Sequence, residues 1–276
     1  MKNNRPLFVR ISTAMCLFFF AVFVVLPLWS IFSLLSETDA AAILASSSFN
    51  RALQTSVVSA SLVSVFTVAV SFCAAWILRR VDVPLGRLWR VMLILPMLVP
   101  SVSLGNGLVT LFGANGYLVN LFKLPITIYG LHGVVLGQVI YCIPPIFLLI
   151  DNMLRYEDYT PHEAAIVLGI PAGKRLWGLT VPYIRPTLIS ALLLSFTMSV
   201  TDYGIPFAVG GKLKTLASVM YSEVAGQLKF GKGSVIGLCL LVPATLAFLA
   251  DTLIKSRAPR TVVNPFPLKT AAKSRA

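Results

Sequence analysis

Six stretches of this 276-residue chain contain no Asp, Glu, Lys or Arg: residues 11–36, 52–78, 91–122, 124–150, 186–201 and 233–250. About 20 predominantly apolar residues in a helix cross the roughly 30 Å hydrocarbon core of a bilayer. A helix satisfies its own backbone hydrogen bonds there, which an open strand cannot. The runs therefore predict an all-α, polytopic membrane protein with six transmembrane helices. Hydrophobic residues make up 57% of the chain and charged residues 12%, against roughly 45–50% and 25% in a soluble domain. That balance excludes a soluble enzyme, a disordered tail and a nucleic-acid-binding domain, although the net charge is +13.

The fifth and sixth runs are short, but Arg185 and Asp251 mark their ends and a long Arg side chain can snorkel to the interface. The third run holds Pro96, Pro100, Gly105, Gly107, Gly113 and Gly116. It predicts a kinked helix followed by an irregular segment. Lys2, Arg5 and Arg10 precede the first run, as in a signal peptide. That run is longer than the 7–15 residues of a secretory apolar core, so it reads as a retained anchor. Cys16, Cys73, Cys142 and Cys239 all fall within apolar runs, with no CxxC pair; they read as small buried hydrophobes, not metal ligands or disulfides.

Lys and Arg flank spans on the cytoplasmic side. Seventeen of the 23 fall in one set of connections, including Arg79, Arg80, Arg87, Arg90, Arg155 and Arg185, and six fall in the other. Both termini are expected in the cytoplasm of a bacterial cell, with the chain in its inner membrane. The organisation expected is a cytoplasmic N-terminus at 1–10, a membrane domain at 11–256 and a Pro- and Lys-bearing tail at 257–276. No internal repeat is visible.

The most informative connection is 155–183. Thr160 is a good N-cap, Pro161 suits the first helical position and Glu163 completes a capping box. Gly169 offers a C′ residue for the left-handed conformation that ends a helix. The helix so delimited, 161–168, is far below the 12–15 residues at which isolated helices become even marginally stable in water. It must dock against something. Ala164 and Ala165 offer a low-profile face for entering a groove, although the same helix could pack on its own membrane domain.

Glu163-Ala164-Ala165, then Gly169, then Leu179-Thr180-Val181-Pro182 resembles the cytoplasmic EAA loop of ABC importer permeases. The resemblance covers roughly residues 51–255, with Leu179 and Val181 as mild apolar departures. It implies the type I ABC importer permease fold and a coupling role for Thr160, Glu163, Ala164, Ala165, Gly169 and Pro182. It also implies the partners: an ABC ATPase dimer, a second permease subunit and a periplasmic solute-binding protein. The chain has no GxxxxGK[ST] loop, and Gly210-Gly211-Lys212 is followed by Leu213. ATP is therefore expected on a partner subunit, with no cofactor, metal or catalytic residue in this permease. His132 and His162 are read as interfacial or solvated groups.

Asp151 and Arg155, and likewise Asp251 and Lys255, stand four apart and could pair along a helix face. Asp202 ends the fifth run with no cation at helical spacing. Such an acid is a candidate for the substrate path, with Tyr203 and Gly204; alternatively it caps the turn that Gly204 and Pro206 impose. Residues 201–206, with Gly210-Gly211, Leu216-Ala217, Tyr221, Gly226-Gln227 and Phe230-Gly231, resemble permeases for ferric ion and 2-aminoethylphosphonate, with the polyamine branch more distant. A single EAA loop favours the 2-aminoethylphosphonate type, since many ferric permeases fuse two halves. An ion-coupled secondary transporter is the rival reading. It calls for intramembrane acids and inverted repeats.

Overall fold

A computed structural model describes residues 7–36, 38–123, 125 and 127–256. The ends assigned to the cytoplasm before residue 7 and at 257–276 lie outside the described residues, as does the side chain of Lys255. Five helical stretches are long and apolar enough to cross a membrane, and a sixth is a pair of helices bent by 107°. No β-sheet occurs among the described residues.

The first span, Ile11–Leu35, joins α1 (Leu7–Phe20) and α2 (Leu26–Ser36) through a π-helical turn at Ala21–Val25. None of its apolar window is buried, so it lies along the outside of the bundle, where α2 packs against the last helix. The fifth span carries a second π turn, Leu176–Thr180. Each π turn ends two residues before a proline, Pro27 or Pro182. Proline lacks the N–H for an α bond and crowds the preceding carbonyl, which a wider turn relieves.

After α3 (Ala40–Ala45), capped by Asp39, comes α4 (Ser47–Arg80), 34 residues long and the centre of the bundle. Its buried face carries Ser56, Ala60, Ser64, Thr67, Ser71 and Ala75. Small side chains every three or four residues let neighbouring helices approach closely. Val57, Val58, Leu62, Val65, Phe66 and Val70 face outward, toward the lipid side.

The third run is broken more sharply than a kink. α5 (Gly86–Ile94) and a 3-10 turn at Leu95–Leu98 end before Pro100, and α6 (Ser101–Phe112) leaves at the 107° angle, followed by α7 (Tyr117–Phe122). The partner that orders both halves is α8 (Leu131–Arg155). Leu93 and Ile94 of α5 join the cluster built on Ile146, Ile150 and Leu154, while Leu104, Leu108 and Phe112 of α6 join the cluster built on Ile128 and Val134. The broken pair thus advances along α8 from its arginine-rich end to its far end, as one interrupted crossing would.

Beyond the short helices α9 (Thr160–Val167) and α10 (Ala172–Arg175), the fifth span continues through α11 (Val181–Thr201). It begins at Ala172, well before the expected 186, because the helix runs on past the charged boundary. α12 (Gly204–Val209) and α13 (Leu216–Gln227) cover the far end, and α14 (Phe230–Ser256) is the last span. The expectation of four buried cysteines is corrected: Cys142 is buried, Cys239 partly so, and Cys16 and Cys73 face outward. An outward thiol in a bilayer still meets an apolar medium.

Candidate functional site

The arginine-rich end of the bundle is organised by two acids. Asp151, in the last turn of α8, receives Nη2 of Arg79 at 2.7 Å, with Arg79 Nε also at 2.7 Å and Arg90 at 3.6 Å. The expected Asp151–Arg155 pair does not form, since two arginines from the α4–α5 region occupy the carboxylate instead. Glu157, two residues past α8 and only 2% exposed, accepts from Arg80 Nη2 on one oxygen and from His162 Nε2 at 2.8 Å on the other. His162 is therefore buried and paired, where the sequence reading had it interfacial or solvated.

The short helix α9 spans Thr160–Val167, one residue earlier than expected. Thr160 is its first residue and does not cap it; Asp158 Oδ1 accepts from Thr160 N at 3.1 Å. The expected box between Thr160 and Glu163 is not made, because Asp158 is already placed to satisfy the first free N–H. Glu163 is exposed, and its backbone N–H bonds to Tyr159 O at 3.0 Å. At the other end Gly169 has φ +70, its N–H bonds to Ile166 O at 2.9 Å, and Ile170 N–H reaches Ala165 O at 2.9 Å. Those two bonds are the Schellman closure, which requires a left-handed residue at this position.

Ala164 and Ala165 do not share a face: Ala165 is buried against the protein and Ala164 is exposed. His162 and Ala165, three apart, seat the helix on the bundle. Its free side and C-terminus carry Val167 and Leu168, exposed by 87% and 75%, and Trp177, in the π turn Leu176–Thr180 of the fifth helical stretch, is exposed by 72%. Glu163 borders this apolar surface, and Pro182, also exposed, stands at the start of α11. Tyr183 Oη donates to Tyr156 O at 2.9 Å, closing the loop onto the end of α8. Lone exposed apolar residues are ordinary, whereas neighbouring ones such as Val167 and Leu168 at the end of a short helix are of the kind that interaction surfaces use.

At the far end Asp202 is buried and its carboxylate accepts on both oxygens. Oδ1 accepts from Gly204 N at 3.1 Å; Oδ2 accepts from Ile205 N at 3.4 Å and from Gln138 Nε2 at 3.3 Å. Gln138 also donates to Ser199 O at 3.0 Å and accepts from Ser199 Oγ at 2.7 Å. The geometry is that of a cap on α12, stapled to α8. Gly204 is needed for close approach: a Cβ there would strike Ser101 Oγ and sit 2.6 Å from Val102 N. Tyr203 stacks on Tyr221 with centroids 4.5 Å apart, and Phe207 meets Tyr221 edge-on at 5.3 Å.

Sequence reasoning missed Glu157, Arg80 and Gln138. A signal existed: four of the chain's ten acids, Asp151, Glu157, Asp158 and Glu163, crowd into thirteen residues at the start of one connection.

Comparison with known proteins is consistent with this arrangement. Residues 67–260 match the family described as binding-protein-dependent transport system inner membrane component. The chain is 24% identical over 90% of its length to the putative ferric transport system permease protein FbpB 1 of Haemophilus influenzae, and 27% identical over 57% to FbpB of Actinobacillus pleuropneumoniae. It spans only 41% and 24% of those two relatives. It is 26% identical over 77% of its length to the sulfate transport system permease protein CysT of Escherichia coli, covering 78% of that protein. A bacterial ABC transporter involved in alginate import has a chain that superposes with a TM-score of 0.76 over 91% of this chain and 96% of that one, at 12% identity. The MetNI methionine ABC transporter gives 0.62 over 77% and 96%, at 15% identity. On the strength of the match across 67–260, which the shared helical architecture accompanies, this chain belongs to the family of binding-protein-dependent transport system inner membrane components.

Proposed function

We propose that this chain is the membrane-crossing subunit of an ABC importer that carries a small solute from periplasm to cytoplasm, with ATP hydrolysed by a separate ATPase dimer. One observation carries the reading. α9 is anchored through its buried residues His162 and Ala165, while Val167, Leu168 and Trp177 stand free at the arginine-rich end. A helix this short is stable only when docked. Its inner side rests on the bundle, and its outer side is left for a partner with an apolar cleft. Glu163 at the rim would meet a basic group of that cleft.

The arginine-rich end is the cytoplasmic one in this account. The interrupted α5–α6 pair counts as one crossing, so six crossings leave both termini there. Movement of the ATPase would shift α9 as a rigid element, alternating access between the two sides of the membrane. A second permease subunit, different or identical, encloses the path, and a periplasmic binding protein delivers the solute.

For the solute we retain 2-aminoethylphosphonate, on the motif resemblance over 201–231, with ferric ion second and polyamine third. Two relatives are ferric transport permeases and another is a sulfate one. A phosphonate is, like sulfate, a tetrahedral oxyanion. Among the path candidates, Tyr203 offers a side-chain face, backed by Tyr221, while Asp202 and Gly204 hold the turn that presents it. An ion-coupled carrier is disfavoured, since the carboxylate of Asp202 is already engaged with three donors.

The test is co-expression with an ATPase and a binding protein from the same genome, followed by affinity purification and uptake in vesicles. The expected result is a stoichiometric ATPase in the purified complex and ATP-dependent uptake of 2-aminoethylphosphonate above ferric ion and sulfate. Uptake that persists without the ATPase would reject the importer reading. Uptake of ferric ion or sulfate alone would reject the solute.

A further inference from the structure

Arg79 and Arg80, the last two residues of α4, each grip a different acid. Successive helical residues point about 100° apart. One arginine therefore reaches Asp151 on α8, while the other reaches Glu157 in the connection that leads to α9. The two oxygens of Glu157 are divided between two elements: Oε2 takes Arg80 of α4, and Oε1 takes His162 of α9 itself. Asp151 adds Arg90 of α5 at 3.6 Å. At one end of the bundle, α4, α5, α8 and α9 are thus pinned together through two carboxylates.

We propose that Glu157 is a positioning residue that latches α9 to α4, so that a displacement of α9 moves α4 together with α8. This rests on the reading that α9 docks on an ATPase. Charge-assisted bonds of this kind are short and directional. A carboxylate that is 2% exposed also cannot release one partner without leaving a buried charge uncompensated. The link is therefore stiff. Covalent continuity through residues 156–159 ties α9 to α8, and the Glu157 bridge adds a direct tie to α4.

The consequence extends across the molecule, because α4 is one continuous helix of 34 residues, about 50 Å long at 1.5 Å per residue. Near its other end, Ser56 Oγ accepts from Leu216 N at 2.8 Å, at the start of α13. Ala52 and Ala60 pack in one cluster with Val200, Leu216 and Ile236. A push received at Arg80 is therefore delivered to the helices that cover the far end, without passing through a flexible loop.

Glu157→Gln is informative because both oxygens accept. An amide supplies one acceptor and one donor and no charge, so Arg80 loses its carboxylate partner and the contact to His162 survives only as a neutral bond from the amide N–H to an imidazole protonated on Nδ1. His162→Ala removes the α9 arm alone, and His162→Gln restores an N–H donor near the same place. The assay uses the assembled transporter in proteoliposomes, reading three quantities: ATPase retained per permease, basal hydrolysis, and hydrolysis stimulated by the loaded binding protein. Glu157→Gln and His162→Ala should keep the ATPase and the basal rate while stimulation falls about tenfold, the equivalent of one lost buried charge-assisted bond. His162→Gln should stay within about twofold of the parent, a range that a retained donor allows. Parental stimulation in Glu157→Gln and His162→Ala overturns the latch. So does equal damage from His162→Gln and His162→Ala, which would assign the effect to volume rather than to the bond. Loss of the ATPase from either variant also overturns it, by assigning Glu157 to the shape of the docking face. Should Glu157→Gln fail to insert, the comparison of the two His162 variants decides alone. Failure of the parent complex to retain an ATPase refutes the docking reading itself, not the latch.

Discussion

Gly169 separates a conformational role from a steric one. Its φ is +70, and a Cβ built there meets nothing within 4 Å. Within the chain, then, a side chain costs only backbone strain. For alanine in the left-handed region that is about 1 kcal/mol, and for a β-branched valine about 2 kcal/mol. Asparagine enters the region far more readily, because its side chain bonds locally. Strain can be relieved only by opening the turn, which breaks the bonds from Gly169 N to Ile166 O and from Ile170 N to Ala165 O and frees the end that carries Leu168. Docking of α9 should therefore weaken about fivefold for Gly169→Ala and about thirtyfold for Gly169→Val, with Gly169→Asn close to the parent. The assay is a titration of purified ATPase onto permease in nanodiscs, with insertion checked by the yield of folded protein. The order of affinities carries the test, since asparagine is larger than alanine. If Asn binds more weakly than Ala, crowding in the partner cleft governs the position and the backbone argument fails.

Asp202→Asn should destabilise the subunit by about 1–3 kcal/mol although Asn is normally an equal cap, because donors approach both carboxylate oxygens and an amide can accept on only one side. A thermal midpoint in detergent equal to the parent's would show that Gln138 reorients freely. Gly204→Ala places a methyl group 2.6 Å from Val102 N, forcing α12 off α6 at a cost of about 1–3 kcal/mol; an unchanged midpoint would contradict the close approach. Trp177→Ala, at a position 72% exposed, should leave that midpoint in place and weaken ATPase binding by about 2 kcal/mol, as a buried aromatic anchor does. Unaltered affinity would remove Trp177 from the docking face.

Much of the fold was legible because a bilayer imposes one simple demand, a length of uninterrupted apolar helix, and the uncharged runs report it directly. They report where lipid ends, however, not where the helix ends. The fifth span illustrates the difference: Lys174, Arg175 and Arg185 all lie within the helical stretch Ala172–Thr201. Gly169 was legible too, since its demand is local. The capping of α9 was not, because Thr160 and Glu163 fit a spacing rule while Asp158, two residues earlier, was better placed. Nor could spacing reveal the acids that pin the bundle. Arg79 reaches Asp151 across 72 residues and Arg80 reaches Glu157 across 77, and the i, i+4 rule instead offered Arg155 as a partner. Asp202 stood between two readings in the sequence. The three donors around it, one of them from Gln138 on another helix, supply what the local pattern lacked.

The central claim is that α9 is where this permease meets its ATPase. A photoreactive amino acid at Val167, 87% exposed at the end of α9, tests it most directly when irradiated in membranes that contain the whole transporter. The expected result is a cross-link between this chain and the ATPase subunit, absent when the same group is placed at Lys123, at the far end beyond α7. A Val167 cross-link to the periplasmic binding protein or to lipid alone, with the ATPase captured from Lys123 instead, would contradict both the topology and the docking site.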